Sequence, residues 1–179
     1  MIQVRFVSYQ YNRWKRAVDK LRARAMSEKD NLPRRMSIDY IDEIRKNIYS
    51  GKFNGTYRSY NPRYSDWKYG TYGSIGSFWF LAGDLVTSMV AKQKLSTAYT
   101  SKWFGGIPAN ARDSGGKSWL GRGNRGRSMS IAQYGNWMEY GRSGQPARPL
   151  FRPTLIEYSG GKALTQLAEA RRKLIGAWS

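Results

Sequence analysis

The sequence predicts an α+β chain, and three observations carry that expectation. Apolar residues recur at helical spacing near both ends of the chain. An aromatic segment at 131–140 reads as a strand. The middle is threaded with Gly, Ser and Tyr in weakly periodic stretches that suit turns and short strands. With 179 residues and no internal repeat, the chain is read as a single domain, 1–179.

The elements follow in order. Residues 7–26 read as a helix, because Tyr11, Trp14, Val18, Leu21 and Ala25 fall three and four apart on one face. Arg13, Lys15, Arg16, Lys20, Arg22 and Arg24 surround that stripe. Such a helix packs on a core with a solvated basic face, or binds a membrane or nucleic acid. Leu32-Pro33 is expected to break the chain. A second helix then starts at the Ser37 N-cap and runs along the stripe Ile38, Ile41, Ile44 and Ile48, which is read as core. Asp39, Asp42 and Glu43 suit its positive end, and Ser50-Gly51 stops it, closing an N-terminal helical region at 1–51.

Residues 52–77 form an aromatic, Gly-rich arm carrying Tyr57, Tyr60, Tyr64, Trp67, Tyr69 and Tyr72. Its rings pack on the body or a neighbouring subunit, or stack on bases. Asp84 caps a short helix over 85–91, with a strand as the alternative. Residues 105–130 read as an Arg/Gly loop, mobile in the free chain and ordered by partners. After the strand at 131–140, Pro146, Pro149 and Pro153 stiffen the chain into a C-terminal helix. That helix is broken at Gly160-Gly161 and has Leu164, Leu167, Leu174 and Ile175 as its apolar face.

Charge is the strongest functional signal. Lys and Arg number 31 against 12 Asp and Glu, a net +19. Folding does not need that excess, which opposes compaction; an acidic partner offsets it. A merely soluble basic surface is the plainer alternative. There is no His and no Cys. That removes disulfides, thiolate metal sites, Ser-His triads and the commonest general base. No metal, cofactor or catalytic residue is expected. The start has no long apolar segment, and the stretch 78–91 is too short to span a bilayer. The expected chain is soluble and synthesised in a cytoplasm, with no membrane partner.

Two phosphate motifs fail on inspection. Gly116-Lys117-Ser118 resembles the end of a P-loop, but position 111 is Ala where a Gly is required. Gly121, Gly123 and Gly126 match a dinucleotide fingerprint by letter, without a leading apolar strand. Arg122, Arg125 and Arg127 in that loop are candidates for nucleic acid or another acidic partner. Asp66, Asp84, Glu139 and Glu157 are scattered, and nothing in their spacing indicates acid–base or magnesium chemistry.

The most specific stretch runs from Tyr134 to Leu155. Glu139 and Gly141 end an aromatic segment, followed by Pro146, Arg148, Pro149, Phe151, Pro153 and Thr154, with Leu150 inserted before the Phe. It resembles the neck and tail-completion proteins of tailed bacteriophages, in which a "Tyr-x-x-x-x-Glu-x-Gly" strand precedes "Pro-x-Arg-Pro-Phe-x-x-Pro-Ala/Thr" and a terminal helix. Trp67-Lys68 and Gly83-Asp84-Leu85 resemble further elements of that family, with Ala82 where the family has Thr. The likeness covers about residues 60–175, and the long aromatic and Arg/Gly segments depart from the family pattern.

The resemblance implies a small antiparallel sheet packed against a long helix, with additional terminal helices and long loops. It implies a non-enzymatic structural virion protein, synthesised in the host and placed at the head–tail junction. It would form a homo-oligomeric ring with neighbouring head–tail connector and tail proteins as partners, and non-specific DNA contact is allowed. The residues add candidate interface positions: Arg148 and Arg152 for forked contacts to a neighbour, Phe151 as the apolar anchor between them, and Trp137 and Tyr140 beside them. The competing class is a basic nucleic-acid-binding protein of ribosomal or DNA-packaging character, which does not need the Pro/Arg segment at 146–153.

Overall fold

A computed structural model describes residues 8–57, 62, 65–66, 69–70, 84–111, 130–142 and 146–176. The fold is α+β. A 43-residue helix, α1 (Ser8–Ser50), forms the spine. A 3-10 turn at Asn54–Thr56 follows it. Then come the short helix α2 (Asp84–Thr87) and an antiparallel hairpin of β1 (Val90–Ser96) and β2 (Ser101–Gly106). Among the described residues three helices follow: α3 (Ile131–Tyr140), α4 (Phe151–Gly160) and α5 (Lys162–Ile175).

Pro33 does not break α1; the two expected N-terminal helices are one. A proline inside a helix costs about 3 kcal/mol, because it cannot donate to the carbonyl four residues back and its ring crowds that turn. The hairpin braces this very stretch. Lys29 donates to the Thr97 carbonyl, and Ser96 donates to Asp30 at 3.3 Å. Strand β2 approaches so closely that a Cβ on Gly105 would lie 3.1 Å from the Ser37 carbonyl oxygen, so any other residue there would push strand and helix apart by a few tenths of an ångström. Helix α1 ends where the sequence places its end, at Gly51 with φ +62.

The core lies against the carboxyl half of α1. Ile41, Ile44 and Ile48 are buried there against Leu85, Val86 and Met89 around α2, Ile131 and Met138 of α3, and Leu150. Each such side chain contributes about 1.5–3 kcal/mol relative to exposure. Ile38, read as part of this stripe, sits at its edge and is exposed. The short helix at Asp84 is present, but the chain turns into β1 at Val90 rather than continuing helically. Arg45 closes the end of α2 by donating to the carbonyls of Val86 (3.4 Å) and Met89 (3.1 Å), where a cation suits the negative helix terminus.

The segment 131–140 is a helix, not a strand. Ser130 is its N-cap, accepting from the Gln133 N–H at 3.4 Å, and Gly141 closes it. Its buried residues, Ile131, Gly135, Met138 and Glu139, fall at i, i+4, i+7 and i+8, which is one helical face. Residues 105 and 106, expected to open a loop, complete β2. The remainder of that loop at 112–129, and most of the aromatic arm, lie outside the described residues. Phe53 and Tyr57 of the arm do pack against the core.

Helix α5 runs antiparallel to α1. Lys162 pairs with Glu43, Gln166 donates to Asp39, and Lys173 lies 3.6 Å from Glu28. The mutual influence of Glu43 and Lys162, chiefly through their hydrogen bond, lowers the pKa of the acid and raises that of the base. Ala163 and Ala170 are buried on this seam, since small side chains let the two helices approach.

Candidate assembly surface

The Pro/Arg segment is organised by one buried carboxylate. Glu139 Oε2 accepts from the backbone N–H groups of Leu150 (2.7 Å) and Phe151 (2.9 Å), and Oε1 accepts from Arg152 (2.9 Å). These are the N-cap and first two helical positions of α4, whose N–H groups have no partner inside the helix. The N-cap Leu150 offers no side-chain acceptor, so Glu139 supplies the cap from α3. The next residue is Pro153, which has no N–H to satisfy. A negative charge at the positive end of α4 adds to the bonds.

Around this joint the chain is tied from several sides. The Arg148 N–H donates to the Met138 carbonyl at 2.6 Å. Tyr57 donates its hydroxyl to the Pro149 carbonyl, and Tyr40 donates to that of Phe151 at 2.9 Å. Burial, with the nearby Glu139 charge, pushes the Tyr40 hydroxyl up to about 12. Asn47 donates to the Thr154 hydroxyl at 3.0 Å, both buried, and Lys52 pairs with Glu157. Tyr158 packs against Tyr40, ring centroids 5.9 Å apart.

This arrangement corrects the expectation that the Pro/Arg segment faces a neighbour through Arg148 and Phe151. Arg148 is only 3% exposed, and Phe151 packs against the core of its own chain. The physical reason is Glu139: drawing three consecutive N–H groups inward turns the segment toward the body. Tyr140, at 74% exposure, and Arg152 remain on the surface. Trp137 is half-buried under the Arg142 guanidinium, 4.2 Å from the ring centroid. Arg122, Arg125 and Arg127 lie outside the described residues.

Three of the acidic residues weighed for chemistry have other surroundings. Glu139 is occupied as a cap, Glu157 is paired with Lys52, and Asp66 is exposed. Among the described residues no group of three or more acidic side chains is placed to hold a metal ion. None of the described helices is long and apolar enough to cross a membrane.

What sequence reasoning missed is the outward face of the C-terminal helices. Leu164 is 57% exposed, and Leu167 and Ile175 are also exposed, as are Leu155 and Ile156 on α4. The apolar face read from the sequence therefore points away from α1, with only Leu174 partly covered. Leu167, Ala168, Arg171, Arg172 and Ile175 line an open groove of about 490 Å³. Leu164, Leu167 and Ile175 fall at i, i+3 and i+11, so they share one side of α5, and exposed apolar side chains grouped in this way mark a protein contact more often than scattered ones do.

Comparison with protein-family models, with curated proteins and with solved structures finds no match to this chain.

Proposed function

We propose that the chain is a structural virion protein of a tailed bacteriophage, a ring-forming neck or tail-completion subunit that joins head to tail and performs no catalysis. The observation that carries this reading is the exposed apolar stripe of α5, where Leu164, Leu167 and Ile175 fall at i, i+3 and i+11 on one side of the helix. A ring subunit needs one such side to meet its neighbour, because a heterologous contact repeated around an axis closes the ring. The Glu139 joint supports the same reading. It accounts for the Glu, Pro and Phe positions that resemble the neck family as a rigid corner that sets the direction of α4 and α5. That rigidity lowers the entropy lost on docking. Tyr140 and Arg152, exposed beside the corner, are the interface residues retained from the sequence reading.

The test is the double substitution Leu164→Asp and Leu167→Asp in a phage encoding this chain. Both side chains are exposed in the subunit, so the fold is kept while the ring contact is opposed by buried charge. Heads and tails are expected to accumulate separately, with the purified variant melting near the parent. Normal virions would remove the proposal.

A further inference from the structure

We infer that the amino-terminal end of α1, the carboxyl end of α5 and the tip of the hairpin together form a surface that grips the phosphate backbone of duplex DNA. The inference adds a ligand to the assembly reading but does not depend on it.

The three elements meet at one end of the molecule. Arg24 donates to the Lys173 carbonyl at 3.1 Å, which fixes the end of α5 beside residue 24. Lys29 donates to the Thr97 carbonyl, which fixes the hairpin turn one helical turn further on. Beyond these contacts α1 continues back to Ser8. Residues 8–26 carry six basic side chains and one acid, Asp19, and all six bases are exposed. Arg171 and Arg172 on α5, and Lys94 and Lys102 on the hairpin, are exposed at the base of this projection. Two of the nearby acids are already engaged, Glu28 with Arg35 and Lys173 and Asp30 with Lys29, while Glu169 on α5 is exposed.

The other end of the molecule is different. There Asp42 pairs with Arg45, Glu43 with Lys162 and Glu157 with Lys52. Among the described residues the positive charge is thus concentrated toward the amino-terminal end of α1, and such a concentration attracts a polyanion.

The layout favours duplex DNA over other polyanions. Arg13, Arg16, Lys20 and Arg24, at i, i+3, i+7 and i+11, line one side of the projection; Lys15 and Arg22, seven apart, line another. Cations on two sides of a straight helix suit a groove with phosphates on both walls, and the major groove is about 12 Å wide, enough to admit a helix. The part of α1 beyond the Arg24 contact, residues 8–23, is about 24 Å long at 1.5 Å per residue, enough to lie along a segment of that groove. A membrane surface would need a broad apolar face. Here Val18 and Leu21 are half-buried against the chain itself, leaving Tyr11 and Trp14. Those two rings pack on each other with centroids 6.3 Å apart, rather than standing free as platforms for unpaired bases.

The test measures binding of the full chain to a fluorescent 30-base-pair duplex of arbitrary sequence by anisotropy over a salt series. Two triple variants remove equal charge: Arg16→Gln/Lys20→Gln/Arg22→Gln on the projection, and Lys46→Gln/Lys52→Gln/Arg142→Gln elsewhere on the exposed surface. Each lost phosphate contact lowers the slope of log affinity against log salt by about 0.9, so the first triple should lower it by about 3 and weaken binding at least ~10-fold. The second should change affinity less than about twofold, since contacts outside the footprint release no counterions. Equal weakening by both triples would overturn the inference. So would competition by polyglutamate as strong as by unlabelled duplex, which would assign the surface to an acidic protein. Lysine acetylation of the unaltered protein gives a reading independent of any variant's folding. DNA should protect Lys15 and Lys20 while leaving Lys46 and Lys162 reactive; the reverse pattern would refute the proposed surface.

Discussion

Replacing Glu139 tests the joint on which the C-terminal half is built. In Glu139→Ala, three backbone N–H groups, now bound at 2.7, 2.9 and 2.9 Å, lose their acceptor. A hydrogen bond to a charged group contributes about 1.5–3 kcal/mol, and leaving a buried donor unmatched costs its desolvation. The three bonds share one carboxylate and are not additive, and the Arg152 N–H lies nearest solvent, so the expected loss is about 3–5 kcal/mol. Glu139→Gln keeps one acceptor oxygen but loses the charge at the positive end of α4 and presents an NH2 group to an N–H. It should cost about half as much. Urea unfolding followed by far-ultraviolet circular dichroism and Trp fluorescence measures both. With a slope of about 2 kcal/mol per molar, the alanine variant should lower the midpoint by about 1.5–2.5 M. A loss under about 0.5 kcal/mol for alanine would refute the capping account, because no arrangement of three filled bonds to a buried carboxylate is that weak.

Two further outcomes follow from the same structure. Tyr40→Phe removes the bond to the Phe151 carbonyl and should cost about 1 kcal/mol at neutral pH. Its alkaline profile should also change. The Tyr40 hydroxyl ionises near 10 when unfolded and near 12 when folded, so the stability it contributes is full below pH 10 and lost as pH rises through 12. The Phe variant should lose less stability across that window, with Tyr158, also raised by burial, accounting for part of what remains; identical alkaline slopes would contradict this. Pro33→Ala should stabilise the chain by about 1–3 kcal/mol, raising the melting temperature by several degrees, because it restores a donor to the Lys29 carbonyl. An unchanged or lower melting temperature would contradict this.

Much of the fold was legible in local patterns. The Ile41, Ile44, Ile48 stripe, the stop at Gly51 and the break at Gly160-Gly161 each follow from helical spacing and glycine chemistry, and the structure places them there. The errors have physical causes. Pro33 reads as a breaker because propensity is local, while the bracing hairpin lies more than sixty residues away. The segment 131–140 was read as a strand from its aromatic content. Its Ser130-x-x-Gln133 start is a capping signal, and Tyr134, Trp137 and Met138 sit three and four apart. The hairpin leaves no strand signal, because β1 is largely exposed, β2 is half-buried along most of its length, and neither shows inside–outside alternation. At the candidate site, the importance of Glu139 and the Pro/Arg segment was visible, but its direction was not. Whether Arg148 points inward depends on a carboxylate nine residues earlier that has become a helix cap. The outward leucines of α5 were seen as a face, and which side α1 would cover could not be read from one helix alone.

Electron microscopy of lysates from a phage whose only copy of this gene carries Leu164→Asp and Leu167→Asp reads the joining role at its product. The account predicts filled heads and complete tails in separate populations, with the altered subunit soluble, folded and absent from a ring at the junction. Joined virions at the parental frequency, or arrest before heads and tails form at all, would contradict it.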